Sequence, residues 1–137
     1  MNTTTPIAAP VAALARVLLA LMFILAGAAK FAGLAGTAGY IASKGLPAPM
    51  LLAVAAGTLE LVGGLALALG FHARWAALAL GLFTIVVTPI FHPFWAVPAD
   101  QAMVTQLLFM KNVSVAGGLL FVFSLGAGPA SLDARRA

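Results

Sequence analysis

The sequence contains 137 residues, of which 64% are hydrophobic and 7% charged, and its net charge is +4. Soluble domains carry roughly 25% charged residues, so this composition excludes an ordinary soluble protein and indicates an integral membrane protein with one domain. The basic residues form no run longer than Arg135-Arg136, which excludes a nucleic-acid-binding segment and predicts contact with the anionic headgroups of the lipid bilayer.

Four apolar segments along the chain are each long enough to cross a bilayer, which takes about 20 residues. The predicted spans are residues 11–33, 49–70, 75–91 and 102–125. Residues 34–48 mix small and polar residues with Tyr40 and Lys44, which predicts a short amphipathic helix at the membrane interface. The predicted fold is therefore all-α: residues 1–137 form a single membrane domain, a four-transmembrane-helix bundle with a short interfacial helix between spans 1 and 2.

An even number of spans places both termini on the same side of the membrane. Arg74, Arg135 and Arg136 then lie on the side of the termini, whereas Lys30 and Lys44 lie on the other side. Because positively charged residues concentrate in the cytoplasm, this distribution predicts that both termini are cytoplasmic and that the protein is a multi-pass protein of the bacterial cytoplasmic (inner) membrane.

Glu60 is the only carboxylate between Pro49 and Phe71, near the middle of span 2. An ionised group at the centre of a span costs about 2.5–3.5 kcal/mol on insertion scales, so it needs a partner or a function. Arg16 in span 1 and Lys111 in span 4 are the candidate partners.

Small and polar residues recur at steps of three and four in each span, which places them on one face of each helix. The predicted stripes are Arg16, Ala20, Phe23, Gly27 and Lys30 in span 1, Ala53, Gly57, Glu60 and Gly64 in span 2, Ala77, Gly81, Thr84, Thr88 and His92 in span 3, and Lys111, Ser114 and Gly118 in span 4. Small residues let membrane helices approach closely, so these faces are predicted to point into the bundle.

The depth of each residue, at about 1.5 Å per residue, predicts a cluster of Arg16, Glu60 and Lys111 near the middle of the membrane. The remaining polar candidates, Lys30, His92, Asn112 and Gln106, are placed above it. The predicted ligand-binding residues are Arg16, Lys30, Glu60, His92, Lys111 and Asn112. The surplus of positive charge suits an anion, a polarised carbonyl or a water chain, while the alternative is that the cluster only holds the helices together.

His92 is a candidate proton relay or a ligand to a quinone carbonyl, and the alternative is an interfacial histidine beside aromatic anchors. His72 and His92 flank span 3 at opposite ends, and no group of His, Asp or Glu has metal-ligand spacing, so no metal site is predicted. The absence of cysteine excludes thiolate and iron–sulfur chemistry. No nucleophile–base–acid arrangement is visible, and the catalytic residues, if the protein is an enzyme, stay unknown.

Several motifs in order resemble the DoxX family of small bacterial inner-membrane proteins, and especially its short YphA-like members. They are Arg16 with Phe23, Gly27 and Lys30, then Tyr40-x-x-Ser43-Lys44-Gly45-Leu46-Pro47-Ala48-Pro49, Glu60, Gly70-Phe71, His92 with Phe94-Trp95, Lys111-Asn112-Val113-Ser114-x-Ala116-Gly117, and Ser131-Leu132-Asp133. The resemblance implies a four-helix bundle in the cytoplasmic membrane. The family takes its name from a subunit of an archaeal thiosulfate:quinone oxidoreductase, which implies an association with membrane redox complexes.

Three functions are open at this point. The first is an accessory of a membrane redox process that binds a quinone-like or other small apolar ligand in the bundle, with quinone as the candidate cofactor and redox subunits as partners. The second is a small proton-linked carrier or permease, for which a homodimer is expected because four spans are few. The third is a non-catalytic scaffold subunit.

Overall fold

The computed structural model describes residues 7–137. Its helices are α1 (Ala8–Ala32), α2 (Leu34–Ser43), α3 (Pro49–Leu69), α4 (Ala73–Phe91), α5 (Ala99–Leu125) and α6 (Leu132–Arg136). Helices α1, α3, α4 and α5 are long and apolar enough to cross a membrane, and α2 is the short helix expected between spans 1 and 2. The all-α, four-span prediction is confirmed; residues 1–6 of the predicted domain lie outside the described residues.

The ends of the helices follow local sequence signals. Pro49 occupies the first turn of α3, where its missing N–H has no partner to lose. Gly70 ends α3 in the left-handed region with φ +67°. Helix α5 begins at Ala99, three positions earlier than predicted, directly after Pro98 and with Asp100 in its first turn, where a negative charge favours the helix N-terminus.

Helices α1 and α3 approach so closely that glycine is required at their contact. A Cβ on Gly27 would lie 2.6 Å from the backbone nitrogen of Leu61 and 2.8 Å from the carbonyl oxygen of Gly57. On the other helix, a Cβ on Gly57 would lie 3.4 Å from Cβ of Lys30. This close contact therefore brings Lys30 of α1 against the face of α3 that carries Glu60.

The half of the bundle that contains the chain ends, called the terminal end, has a closed apolar core. Its residues come from all four long helices and are at most 3% exposed: Ala20, Phe23, Leu67, Ala77, Leu80 and Leu119. Gly63 of α3 faces the side chain of Leu80 on α4, so these two helices pack tightly at this end. The opposite half, called the α2 end, carries the polar groups discussed below.

Three of the four predicted stripes are confirmed as buried faces. They include Arg16, Ala20, Phe23 and Gly27 on α1, Ala53, Gly57, Glu60 and Gly64 on α3, and Ala77, Gly81, Thr84 and Thr88 on α4. Lys30 and His92, at the ends of two stripes, are half-buried.

The stripe predicted on α5 is wrong for two of its three residues. The buried residues are Asn112, Ala116 and Leu119, whereas Lys111 and Ser114 are exposed. Gly118 is half-buried and lies against Leu19 of α1. Adjacent helix positions differ by about 100°, so a shift of one position turns a different face inward. Ser114 can face outward because its hydroxyl donates to the carbonyl of Met110 (3.1 Å) and needs no partner on another helix.

The chain after α5 folds back across the terminal end. It turns at Gly126 and Gly128, whose φ values of +90° and +73° favour glycine. Asp133 then accepts hydrogen bonds from the backbone N–H groups of His72 (2.7 Å) and Ala73 (2.8 Å) at the start of α4. The carboxylate satisfies donors that the first turn of a helix leaves free, so this segment closes the base of the bundle.

Candidate functional site

A cavity of about 640 Å³ lies in the α2 end of the bundle, between α3 and α4. Its walls are mostly apolar, and the two helices contribute Leu52, Ala56, Leu59, Phe83, Val87 and Ile90. Because α3 and α4 pack tightly at the terminal end, the cavity is bounded there by the closed core. Its volume lies in the range of about 300–1,000 Å³ that is usual for small-molecule sites.

The cavity opens sideways onto the surface that the apolar spans present to lipid. Val86 and Leu52 both line it, yet their exposed fractions are 61% and 37%. Residues that border a cavity and the outer surface together mark its mouth. The mouth therefore lies at Leu52 and Val86, near the α2 end of α3 and α4.

Lys30 and Glu60 form an ion pair in the wall of the cavity. The Lys30 ammonium lies 2.7 Å from Oε2 of Glu60, and their side chains are 25% and 9% exposed. Buried Oε2 has no further polar partner among residues 7–137. The Lys30 ammonium therefore compensates this carboxylate in the apolar interior.

Asn112 connects α5 to α4 at the cavity. Its side-chain N–H donates to the hydroxyl oxygen of Thr88 (3.0 Å), and that hydroxyl donates to the carbonyl of Thr84 (2.6 Å). Asn112, Thr84 and Thr88 are all at least nine-tenths buried, so this chain of hydrogen bonds pairs polar groups that would otherwise be unsatisfied.

His92 and Lys111 complete the polar lining of the cavity. Burial lowers the pKa of His92 from its ordinary value of 6.5, and the positive charges of Lys111 and Lys44 lower it further. The imidazole is therefore neutral at neutral pH, with one nitrogen able to donate and the other able to accept a hydrogen bond. Lys111 offers a charged donor beside it.

Comparison with known proteins supports the resemblance seen in the sequence. The sequence model of the DoxX family matches residues 11–93. The chain is 38% identical over 122 residues to the inner membrane protein YphA of Escherichia coli K12, covering 89% of this chain and 87% of that protein. It belongs to the DoxX family.

Two further similarities extend this assignment. The protein is 40% identical over 119 residues to the inner membrane protein YqjF of Escherichia coli K12, covering 87% of this chain and 86% of that protein. It is 28% identical over 78 residues to the ER-derived vesicles protein ERV29 of Saccharomyces cerevisiae, covering 57% of this chain and 25% of the yeast protein. No solved structure matches the chain. The bacterial relatives and the four apolar helices support a multi-pass inner-membrane protein; the cytoplasmic position of its termini stays a prediction.

Five of the six residues predicted for the site of this DoxX protein line the cavity at the α2 end: Lys30, Glu60, His92, Lys111 and Asn112. Their function as ligand-binding residues stays a prediction. The partner of Glu60 is Lys30, so the predicted Arg16–Glu60–Lys111 cluster is wrong in its composition. Gln106, placed above that cluster from its depth, is exposed and does not line the cavity.

Arg16 belongs to the terminal end of the protein. It lies 14 positions before Lys30 on α1, which corresponds to about 21 Å along the helix. Its guanidinium donates to the carbonyl oxygens of Ala127 (2.5 Å) and Ala130 (2.7 Å) in the segment that folds back after α5. The two terminal nitrogens of the guanidinium are paired in this way, whereas its buried Nε has no hydrogen-bond partner among residues 7–137. Arg16 therefore fixes the chain end and does not face the ligand cavity.

The sequence interpretation did not identify Thr37 and Tyr40 of α2, which also line the cavity. The Tyr40 ring packs against Phe91 with ring centroids 5.3 Å apart, and the ammonium of Lys44 lies 5.4 Å from the Tyr40 centroid. The amphipathic pattern of residues 34–48 was the sequence signal that could have identified them. It indicates that one face of this helix packs against the bundle, and in the structure that face borders the cavity.

Proposed function

We propose that this DoxX protein binds a lipid-soluble small molecule with an oxygen-bearing head, of the quinone-like kind, in the cavity between α3 and α4. The observation that supports this proposal is a mostly apolar cavity of about 640 Å³ whose lining includes several polar side chains. A few oriented polar groups in an apolar pocket are what fixes such a ligand.

The polar groups have complementary roles in this proposal. Lys111 and neutral His92 donate hydrogen bonds to an oxygen of the head, while Asn112 is held in place by Thr88 (3.0 Å). The Lys30–Glu60 pair supplies a polar wall without net charge. As an accessory of a membrane redox process, the protein would hold the ligand for a partner subunit.

The closed terminal end favours binding over transport. Leu67, Leu80 and Leu119 are fully buried in the core below the cavity. A translocated substrate would have to displace this packing, which is dense in protein interiors and resists small shifts. No open path through the closed core supports the alternative prediction of a permease among the residues that the structure describes.

The test uses the full chain in phosphatidylcholine nanodiscs with decylubiquinone as the probe. Ala56→Phe adds a ring to the cavity wall one helical turn before Glu60, and Val62→Phe is the matched control on the exposed surface of the same helix. We expect decylubiquinone to raise the Tm of wild type and Val62→Phe but not of Ala56→Phe. An unchanged Tm in wild type, or equal shifts in all three proteins, would contradict the proposal.

The scaffold alternative makes a different prediction in the same experiment. If the polar groups only hold the helices together, the ligand has no effect on any variant, and Ala56→Phe changes stability alone. A quinone that co-purifies with wild type and is lost from Ala56→Phe would argue against the scaffold function.

A further inference from the structure

Lys111 carries a positive charge that no carboxylate of the protein balances. The sequence contains three acidic residues. Glu60 is paired with Lys30 at 2.7 Å, and Asp133 caps α4 at the terminal end. Asp100 lies 11 positions before Lys111 on α5, which corresponds to about 16 Å.

The position of Lys111 makes this charge costly in a membrane. It lies 12 positions after the start of α5 at Ala99, or about 18 Å along the helix. A lysine at this distance cannot bring its ammonium to the interface merely by extending its side chain. Intramembrane charges are usually paired or face a cavity, and Lys111 faces the cavity.

The charges around the cavity therefore sum to an excess of positive charge. The Lys30–Glu60 pair is neutral as a unit, His92 is neutral at neutral pH, and Lys44 adds a second cation beside the His92 end. We propose that the cavity selects amphipathic monoanions, with an apolar body between α3 and α4 and an acidic head at Lys111, over neutral or cationic molecules of the same size. This inference rests on the proposed function: it keeps a lipid-soluble ligand with an oxygen-bearing head, and it says that an acidic head binds more tightly than the neutral head of a quinone.

The carboxylate of Glu60 in the cavity wall is the feature that could favour the opposite preference, for a cationic head. The Lys30 ammonium lies 2.7 Å from Oε2 of this carboxylate, however, so a second cation would meet the Lys30 charge before it gained from the carboxylate. An anionic head at Lys111 forms a charge-assisted hydrogen bond and compensates a cation of the cavity wall that has no carboxylate partner among residues 7–137.

The side entrance suits the same ligand class. Val86 and Leu52 at the mouth are apolar, so a hydrocarbon body can slide in from the bilayer. Lipophilic acids hold their chains in the hydrocarbon of the membrane. The apolar mouth is therefore compatible with their entry from the bilayer.

The test uses three photoreactive probes that share one twelve-carbon, diazirine-bearing chain and differ only in the head: a carboxylic acid, an alcohol and an amine. Each is incorporated at equal membrane concentration into phosphatidylcholine nanodiscs with the full-length protein, and labelled positions are mapped by mass spectrometry. We expect the acid to label residues of the cavity about tenfold more than the alcohol or the amine, as a charge-assisted contact at one position implies.

The variants locate the source of the preference. Lys111→Met should reduce labelling by the acid to the level of the alcohol, and Lys111→Arg should preserve it. Arg135→Met, which removes a cation at the terminal end, is the matched control and should leave the ratio unchanged. If Lys111→Met does not accumulate in cells, the proposal is tested by the ratio of acid labelling to alcohol labelling in wild type and in Lys111→Arg.

The outcomes separate this inference from the proposed function. Equal labelling of the cavity by all three probes, or preference for the amine, refutes the selection of anions and leaves a lipid-soluble ligand in place. Labelling that avoids the cavity with every probe refutes both.

Discussion

Removing Lys30 should destabilise the protein more than removing the charge of Glu60. The two side chains form one pair at 2.7 Å but differ in exposure, 25% for Lys30 and 9% for Glu60. Lys30→Met leaves a carboxylate buried without a partner. Glu60→Gln leaves an ammonium that is partly exposed on a flexible chain and can move toward water.

The magnitude follows from the distance and the burial. At 2.7 Å and an effective dielectric constant of about 20, two unit charges attract by about 6 kcal/mol, which is a ceiling. Desolvation and the solvent at Lys30 remove much of it, so we expect a loss of about 3 kcal/mol for Lys30→Met and about 1.5 kcal/mol for Glu60→Gln. The double variant should lose less than the sum, by about 1–2 kcal/mol, because it leaves no uncompensated charge.

The assay is unfolding of the purified protein by sodium dodecyl sulfate in mixed micelles, followed by circular dichroism at fixed pH. Lys44→Met is the control: its ammonium lies 5.4 Å from the centroid of Tyr40 and forms no ion pair among residues 7–137, so its loss should cost less than about 1 kcal/mol. Losses that add in the double variant, or a larger loss for Glu60→Gln than for Lys30→Met, would refute the reasoning.

Three further predictions concern packing, capping and pH. Gly27→Ala places a Cβ 2.6 Å from the backbone of Leu61, so α1 and α3 must separate and the free energy of unfolding should fall by about 1–3 kcal/mol. The control is Gly117→Ala, whose Cβ has no atom within 4 Å and which should be neutral. Equal unfolding free energies for the two variants would contradict the close approach of the helices. Asp133→Ala should cost about 1–2 kcal/mol through the two lost caps on α4, and an unchanged Tm would show that the capping bonds contribute nothing. Because folding lowers the pKa of His92, the unfolded chain takes up a proton first as pH falls below 6.5, and the free energy of unfolding should fall in that range. His92→Gln should flatten this pH dependence. Identical pH profiles for wild type and His92→Gln would exclude the imidazole as its source.

The two ends of the bundle differ in their packing, and this difference supports the proposed function. At the terminal end, Arg16 and Asp133 fix the returning chain while the apolar core is filled. At the α2 end, the space between α3 and α4 is left open and polar groups border it. A protein that needs only to hold its helices together gains packing contacts by filling such a cavity.

The sequence predicted the inward faces of α1, α3 and α4 because small and polar side chains avoid lipid and recur with the period of a helix. It failed on α5, where Ser114 satisfies its hydroxyl within its own helix and so carries no information about direction. The Asn112 side-chain amide has more hydrogen-bonding groups than its own helix can satisfy, and it donates to Thr88 of α4. This contact is consistent with the inward rotation of Asn112 on α5.

The sequence by itself determined the class of the protein, its four spans, its family and five of the residues that meet at the cavity. Only the tertiary structure decided that Lys30 pairs with Glu60, that Arg16 holds the chain end, and that Lys111 stays unpaired. Periodicity fixes which face of a helix is inward, but the neighbour that this face meets depends on how closely two backbones approach. That distance is set by contacts such as Gly27 against Leu61, which join residues far apart in the chain.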